Sequence, residues 1–142
     1  MRKAVKKVFL TYARADEGAA RELSASLQAA GFNVWDPERE ILPGDEWTSS
    51  LKRALDTSDA MVVLLSPDAF QSRSVRQEVE YALVDERFSG RLIPVLVRET
   101  KDYPWILKSL NVIRYQNPQE AGRAVVNLLN QPADAPQKSR AR

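Results

Sequence analysis

Residues 60–65, with the sequence AMVVLL, constrain the fold of this chain more than any other segment. All six residues are apolar, and Ser66 and Pro67 close the run. An uninterrupted apolar run of this length is typical of a central strand in a parallel sheet, because helices cover both faces of such a strand. The segment therefore predicts a layered fold in which a parallel sheet lies between helices.

Strand and helix patterns alternate along the rest of the chain. The other predicted strands are residues 7–11 (KVFLT), 32–35 (FNVW), 91–97 (RLIPVLV) and 112–115 (VIRY). Helical spacing of apolar residues predicts four helices, whose candidate N-caps are Asp16, Asp45, Ser74 and Asn117. Gly31 is expected to end the first helix. Because Ser74 and Gln77 form a capping-box pattern, the third predicted helix runs from Ser74 to about residue 87.

This alternation predicts an α/β, flavodoxin-like fold: a doubly wound, five-stranded parallel sheet of order 2-1-3-4-5 with helices on both faces. Pro94 makes the fourth strand less central, since proline cannot donate a ladder hydrogen bond. Residues 7–130 are expected to form one domain, residues 1–6 a basic N-terminal segment and residues 131–142 a disordered tail. Ligands of such sheets bind beyond the carboxyl ends of strands 1 and 3.

The absence of cysteine and histidine narrows the possible chemistry. No disulfide or thiolate nucleophile can exist, and the commonest general base and metal ligand are missing. Any catalysis must therefore use carboxylates, hydroxyls, lysine or arginine. There is no Gly-x-Gly-x-x-Gly pattern and no P-loop. A phospho-accepting receiver domain needs carboxylates around a metal, whereas this chain has Ser66 and Thr11 at those strand ends.

Positive charge is concentrated at the two ends of the chain. The net charge is +2, yet residues 8–130 carry 14 basic and 18 acidic side chains. No basic stripe crosses the predicted domain, so nucleic-acid binding is not expected. No apolar run approaches the roughly 20 residues of a membrane helix, and the N-terminal apolar stretch is too short for a secretory signal. We therefore expect a cytoplasmic protein that does not engage a membrane.

Glu78 stands out on the third predicted helix. The apolar stripe of that helix comprises Val75, Val79, Ala82 and Leu83. Glu78 lies on the edge of this stripe, because residues three and four apart are neighbours on a helix. A buried, unpaired charge is costly. Glu78 therefore either reaches solvent, pairs with Arg76 or Arg87, or serves a function.

Five more residues are expected around the crevice: Thr11, Tyr12, Arg14, Trp47 and Ser66. Two aromatic rings, a cation and the Glu78 carboxylate could hold a nucleotide through stacking, phosphate pairing and a ribose contact. Structural interpretations stay open as well. The helical spacing of Trp47 favours a core position, and Tyr12 could pack against the sheet. Arg14 could pair with Asp16 or Glu17.

Three segments together resemble a known family: residues 8–47 (VFLTYARADEGAARELSASLQAAGFNVWDPEREILPGDEW), 58–70 (SDAMVVLLSPDAF) and 74–83 (SVRQEVEYAL). Over about residues 6–130 the chain is similar to Toll/interleukin-1 receptor (TIR) domains of the bacterial type. The resemblance implies one of two functions. Some TIR domains are non-catalytic modules that signal by assembling with one another. Others cleave NAD+ at the nicotinamide–ribose bond, which gives nicotinamide and either ADP-ribose or a cyclic ADP-ribose isomer.

The resemblance also assigns residues to the enzymatic reaction. The family's catalytic glutamate lies near the start of the third helix in a Trp-x-x-x-Glu pattern, which puts Glu78 at the catalytic position and Ser74 where the tryptophan is expected. A glutamate in the first helical turn would be kept ionised by the helix dipole, whereas half-dry surroundings raise its pKa. Tyr12, Arg14 and Trp47 would contact NAD together with Thr11 and Ser74, with Arg14 nearest the phosphates.

Partners are implied by the same resemblance. NAD would be the substrate, with no metal required. Residues 36–46, which contain Pro43 and Gly44, correspond to the family's mobile BB loop, and this segment is expected to mediate self-association. Bacterial TIR enzymes often act in antiphage defence or as effectors, and an effector protein that responds to the product is a possible further partner.

Overall fold

The computed structural model describes residues 4–131 and contains a five-stranded sheet. The strands are β1 (Lys7–Thr11), β2 (Asn33–Trp35), β3 (Ala60–Leu65), β4 (Leu92–Leu96) and β5 (Ile113–Arg114). All neighbouring strands are parallel, and their order is β2-β1-β3-β4-β5. The predicted flavodoxin-like topology is confirmed. The carboxyl ends of β1 and β3 therefore lie side by side at the switch point of the sheet.

Six helices surround this sheet in the described part of the chain: α1 (Glu17–Ala29), α2 (Pro37–Glu40), α3 (Trp47–Thr57), α4 (Arg73–Val84), α5 (Trp105–Lys108) and α6 (Pro118–Leu129). Alternate residues of a strand point to opposite faces. Ala60, Val62 and Leu64 of β3 therefore pack against α1 and α6, whereas Met61, Val63 and Leu65 pack against α3, α4 and α5. Every residue of β3 is fully buried, which confirms its central position.

Pro94 lies inside β4, a strand that runs between β3 and β5. Proline is tolerated there because its nitrogen, which has no hydrogen to donate, faces a side on which no strand residue pairs with it. The backbone groups of Arg91 and Val97 bond to β3, through Met61 N–H to Arg91 O and Val97 N–H to Leu65 O. Backbone groups of a strand alternate between its two neighbours, so Pro94 faces the β5 side. There β5 pairs only with Val95 and Leu96. Proline is thus tolerated in a strand that is not at the edge.

The start of α4 differs from the prediction. Ser72, not Ser74, is the N-cap, since Ser72 Oγ accepts a hydrogen bond from the backbone N–H of Val75 at 3.3 Å. The helix begins at Arg73, so Ser74 lies within its first turn and the predicted capping box with Gln77 is wrong. The helix also ends at Val84 rather than near residue 87, because Asp85 is extended and a separate 3-10 turn follows.

Two other predicted caps do not act through their side chains. Asp45 is not the N-cap of α3, which begins after Glu46, and its carboxylate instead accepts from the backbone N–H of Leu42. Asp16 occupies the N-cap position of α1 but makes no side-chain capping bond. By contrast, Asn117 caps α6 as predicted, with Oδ1 accepting from Glu120 N–H at 2.8 Å. Gly31 follows the end of α1 with a φ of 97°, a left-handed conformation that favours glycine.

The predicted terminal segments fall largely outside the described residues, which exclude 1–3 and 132–142. Val5 is buried against the face of the sheet that packs on α1 and α6. Between residues 4 and 131, no helix is both long and apolar enough to cross a membrane.

Candidate functional site

A cavity of about 180 Å³ opens at the carboxyl end of β1, between that strand and the start of α4. Its lining residues are Thr11, Tyr12, Arg14, Pro37, Glu38, Trp47, Ser72, Ser74 and Glu78. Thr11 ends β1, α4 contributes Ser74 and Glu78, and Trp47 is the first residue of α3. The fold thus brings together the six residues that the sequence analysis assigned to an NAD pocket, although they span 68 positions between Thr11 and Glu78.

Glu78 is a buried carboxyl group without a hydrogen-bond partner on one of its oxygens. The residue is only 3% exposed, and both its Oε2 atom and the neighbouring Thr11 Oγ1 atom are buried and unpartnered. Burial raises the pKa of Glu78 to about 7. The nearby Thr11 hydroxyl opposes this shift only in part, because the two side chains do not meet the geometry of a hydrogen bond. Glu78 is the sixth residue of α4, so the expectation that the first-turn helix dipole keeps it ionised is wrong.

The predicted cationic partners of Glu78 bond to other groups. Arg76 Nη1 donates to the carbonyl oxygen of Phe70 at 2.9 Å. The guanidinium of Arg87 forms an ion pair with Asp85, with Nη2 and Oδ2 2.9 Å apart. The interpretation of Glu78 as half of a surface ion pair is therefore wrong. The other residues of the apolar stripe, Val75, Val79 and Ala82, are buried, but Leu83 is 36% exposed and is not part of the core.

Tyr12 is held in place by a residue that the sequence analysis did not select. Its hydroxyl donates to Asp36 Oδ1 at 2.7 Å, and burial together with this carboxylate raises the pKa of Tyr12. The same Asp36 oxygen accepts from Glu38 N–H at 2.9 Å and caps α2, whose first residue is Pro37. The sequence Asp-Pro was a detectable signal, because a polar cap followed by proline is typical of a helix start. Residues 36–46 are thus partly helical.

Arg14 lies at the open side of the cavity. Its side chain is 82% exposed, and Nη2 lies 3.4 Å from Glu38 Oε1. Pairing with Asp16 or Glu17, which the sequence left open, is therefore not observed. An exposed ion pair of this length contributes at most about 1 kcal/mol, so an anionic ligand can displace Glu38 at small cost.

Trp47 is not a core residue. Its neighbours on the same helical face, Ala54 and Leu55, are buried, but Trp47 itself is 42% exposed and lines the cavity. Ser74 lies in the same lining. The indole therefore offers an exposed aromatic surface in the cavity that Ser74 also lines, and a planar ring could stack on it.

Ser66 does not line this cavity but joins a separate polar network behind it. Its hydroxyl donates to Asp16 Oδ2 at 2.5 Å, and Asp16 is only 4% exposed. Arg98 donates from Nε to Asp16 Oδ1 at 2.9 Å and from Nη2 to Asp68 Oδ2 at 2.5 Å. The role of Arg98 was not predictable from the sequence, because this residue follows β4 and lies 82 positions from Asp16. Within residues 4–131 no cluster of three or more acidic side chains is arranged to hold a metal ion.

The fold and this cavity agree with the family that the sequence indicates. A model of the TIR domain matches residues 8–129, which is most of the chain. The chain belongs to the TIR domain family.

Three known proteins illustrate the range of its similarities. The chain is 30% identical over 98 residues to the NAD(+) hydrolase PdTIR of Paracoccus denitrificans, a match that covers 67% of this chain and 32% of that protein. It is 28% identical over 131 residues to a stimulator of interferon genes protein of Magallana gigas, covering 89% of this chain and 32% of that protein. The chain therefore spans about a third of the length of these relatives.

The third similarity is structural. The TIR domain of the Toll-related receptor TRR-2 from Hydra magnipapillata superposes with a TM-score of 0.73 at 21% identity. The match covers 87% of this chain and 98% of that domain. At this identity the likeness shows the shared fold alone.

Proposed function

We propose that this chain cleaves NAD+ at the nicotinamide–ribose bond, with Glu78 as the catalytic carboxylate. The observation that carries the proposal is the buried Glu78 carboxyl group, whose Oε2 atom has no hydrogen-bond partner, at a cavity beside the β1–β3 switch point. A buried carboxyl oxygen without a hydrogen-bond partner lowers the stability of the fold, unless a bound ligand supplies the missing partner. The similarity to PdTIR, an NAD(+) hydrolase, supports NAD+ as the substrate.

Bond cleavage at this carbon builds positive charge on the ribose ring. Glycosidases stabilise a comparable oxocarbenium-like transition state with a positioned carboxylate. The ionised form of Glu78 would act in this way as the electron pair of the C–N bond leaves with nicotinamide. Nicotinamide departs as a neutral molecule, so no general acid is needed, which suits a chain without histidine. Water then adds to the ribose carbon and loses a proton, or a nucleophilic atom of the adenine closes a cyclic ADP-ribose isomer.

The volume of the cavity is too small to enclose the whole NAD+ molecule. About 180 Å³ is less than the roughly 300–1,000 Å³ of pockets that enclose a whole drug-sized ligand. The cavity therefore suits the nicotinamide ribose end, with the ribose beside Glu78. The phosphates would extend past the open side, where Arg14 can replace its exposed contact to Glu38 with a charge-assisted bond to phosphate. Tyr12 and Thr11 would form the wall under the ribose.

The decisive experiment is incubation of the purified chain with NAD+ at high protein concentration, followed by chromatographic detection of nicotinamide. The mass of the second product distinguishes ADP-ribose from a cyclic isomer, because only the former contains an added water. A cyclic product would fit a signalling role in bacterial antiphage defence, in which an effector protein responds to it. Absence of nicotinamide release from the chain, even in its assembled form, would refute the enzymatic proposal.

Trp47 is expected to contribute stacking to substrate binding. Trp47→Ala should raise KM for NAD+ about 5- to 150-fold, because loss of an aromatic stacking contact costs about 1–3 kcal/mol. Trp47→Phe should retain most of the affinity. Trp105→Ala is the matched control, since Trp105 is 77% exposed and is not among the residues lining this cavity. Equal KM values for the Trp47 and Trp105 alanine variants would contradict a substrate contact at Trp47.

Assembly is a second candidate function, and it is compatible with the first. The segment after α2 is exposed, and Leu42 within it has 60% of its surface in solvent. Full burial of a leucine side chain in a partner would be favourable by about 1.5–3 kcal/mol. We therefore propose that residues 36–46 mediate self-association.

Leu42→Asp is expected to weaken self-association at least about 10-fold, because the charge opposes burial of this position in an interface. Light scattering over a concentration series measures the change. Val84→Asp, at a residue that is 84% exposed on α4, is the control for adding charge at an exposed apolar site. If both variants assemble like the unmodified chain, Leu42 is not part of the interface.

A further inference from the structure

We propose that Arg98 is a positioning residue for the candidate site, because its guanidinium joins two chain segments that contribute lining residues, Arg14 on one side and Ser72 on the other. Arg98 is remote in sequence from both segments and follows β4, the strand next to β3. It bonds to Asp16 on one side and to Asp68 on the other. This inference rests on the proposed NAD-cleaving function and adds a residue that is not among those lining the cavity.

On one side, Arg98 binds Asp16, which holds the chain segment that follows β1. Asp16 closes the 3-10 turn Arg14–Asp16, and its backbone N–H donates to Ala13 O at 2.8 Å. Its carboxylate is buried, with one oxygen bonded to Arg98 and the other to Ser66. The turn that carries Arg14, and that directly follows Tyr12 and Ala13, is therefore anchored to the neighbouring strands through one side chain.

On the other side, Arg98 binds Asp68, which holds the chain segment that leads to α4. Asp68 precedes the 3-10 turn Ala69–Gln71, and the N–H of the next residue, Ser72, donates to Ala69 O at 3.2 Å. Ser72 then caps α4, which carries Glu78. Ser66 ties this side to the first, because its oxygen accepts from Asp68 N–H at 3.2 Å while its hydroxyl donates to Asp16. Arg98 and Ser66 together thus fix the position of Glu78 relative to Arg14, and Arg98 is the one that joins the two carboxylates directly.

The chemistry of the bridge requires arginine. The planar guanidinium presents donors in two directions, so Nε bonds Asp16 at 2.9 Å while Nη2 bonds Asp68 at 2.5 Å. A lysine has one compact charge and cannot reproduce this fork. Arg98 itself is 45% exposed, so it contributes little to the apolar core. Its expected contribution is therefore to geometry at the cavity rather than to the formation of the fold.

Arg98→Gln is expected to lower kcat for NAD+ cleavage about 10- to 100-fold with KM changed by no more than a few-fold, because displacement of a catalytic group by about 1 Å can cost 100-fold in rate. Arg98→Lys should be intermediate. Arg114→Gln is the matched control, since Arg114 pairs with Glu99 at 2.8 Å on the surface and both side chains are largely exposed. All rates are normalised to the folded fraction from circular dichroism.

Hydrogen exchange separates this proposal from the proposed function. In Arg98→Gln, amides of residues 13–16 and 69–76 should exchange faster, while β3 stays protected and Arg114→Gln resembles the unmodified chain. This measurement does not require NAD cleavage. If the chain has no activity, the enzymatic function is refuted, and hydrogen exchange still tests whether Arg98 holds the two segments. Unchanged exchange in both segments, or a kcat of Arg98→Gln equal to that of Arg114→Gln, would overturn the positioning role.

Discussion

Replacing Glu78 with glutamine is expected to reduce nicotinamide release from NAD+ by at least about 100-fold. Groups that face developing charge in a transition state typically contribute about 100- to 1,000-fold to the rate. Glutamine keeps the size of the side chain but cannot carry the negative charge that opposes the oxocarbenium-like ribose. Because the change leaves the stacking and phosphate contacts in place, KM should change much less than kcat. Initial rates of nicotinamide release under assembling conditions measure both parameters.

Glu80→Gln is the matched control for this substitution. Glu80 lies on the same helix two residues further on, is exposed, and does not line the cavity. Its replacement makes the same chemical change without touching the site, so its kcat should equal that of the unmodified chain. The catalytic assignment fails if both variants release nicotinamide at the same rate. A chain that assembles but shows no turnover in any variant would instead support the non-catalytic alternative.

The strand order of this protein was predictable because the apolar and polar residues of each segment indicate its secondary structure. The apolar run of β3 requires cover on both faces, and alternation with amphipathic helices leaves few topologies for a chain of this length. Glu78 was detectable for the same reason, since a carboxylate on an otherwise apolar helical face conflicts with the pattern around it. These signals are contained within windows of about ten to fifteen residues.

The rest of the site depends on contacts that no local pattern contains. Tyr12 bonds Asp36 across 24 positions, and Arg98 bonds Asp16 across 82. Both acidic residues also resemble ordinary helix caps in sequence, and Asp36 is indeed the cap of α2. The sequence alone indicated a capping role for Asp16, which the structure does not show, and no role for Asp36, so neither long-range contact was foreseen.

Small errors in helix boundaries changed the interpretation of the site. A shift of the N-cap from Ser74 to Ser72 moves Glu78 out of the first turn, where the helix dipole acts. Burial then outweighs the Thr11 hydroxyl and raises the pKa of Glu78. The same shift frees Ser74 from a capping role. Ser74 lines the cavity with Trp47, and the proposed aromatic contact to the substrate therefore comes from α3 rather than from the family's expected tryptophan position on α4.

The buried carboxyl group also predicts a trade-off between activity and stability. The pKa of Glu78 is raised from 4.5 to about 7 in the folded chain, so the folded state binds the proton more tightly than the unfolded state. Its contribution to stability is therefore fully present below pH 4.5 and is lost as the pH rises through 7. A shift of this size corresponds to about 3 kcal/mol, because each pKa unit is worth about 1.4 kcal/mol.

Glu78→Gln should consequently be more stable than the unmodified chain at pH 8 and nearly equal to it at pH 4.5. The expected gain at pH 8 is about 3 kcal/mol, or on the order of 10 °C in Tm for a domain of this size. Urea titrations of both proteins across this pH range measure the difference, in which the contributions of other titrating groups cancel. Glu80→Gln is the control for the same chemical change at an exposed position of the same helix. If Glu78→Gln gives the same stability difference at both pH values, the pKa of Glu78 is not raised in the folded chain. Burial of this carboxyl group would then not support a catalytic role for Glu78.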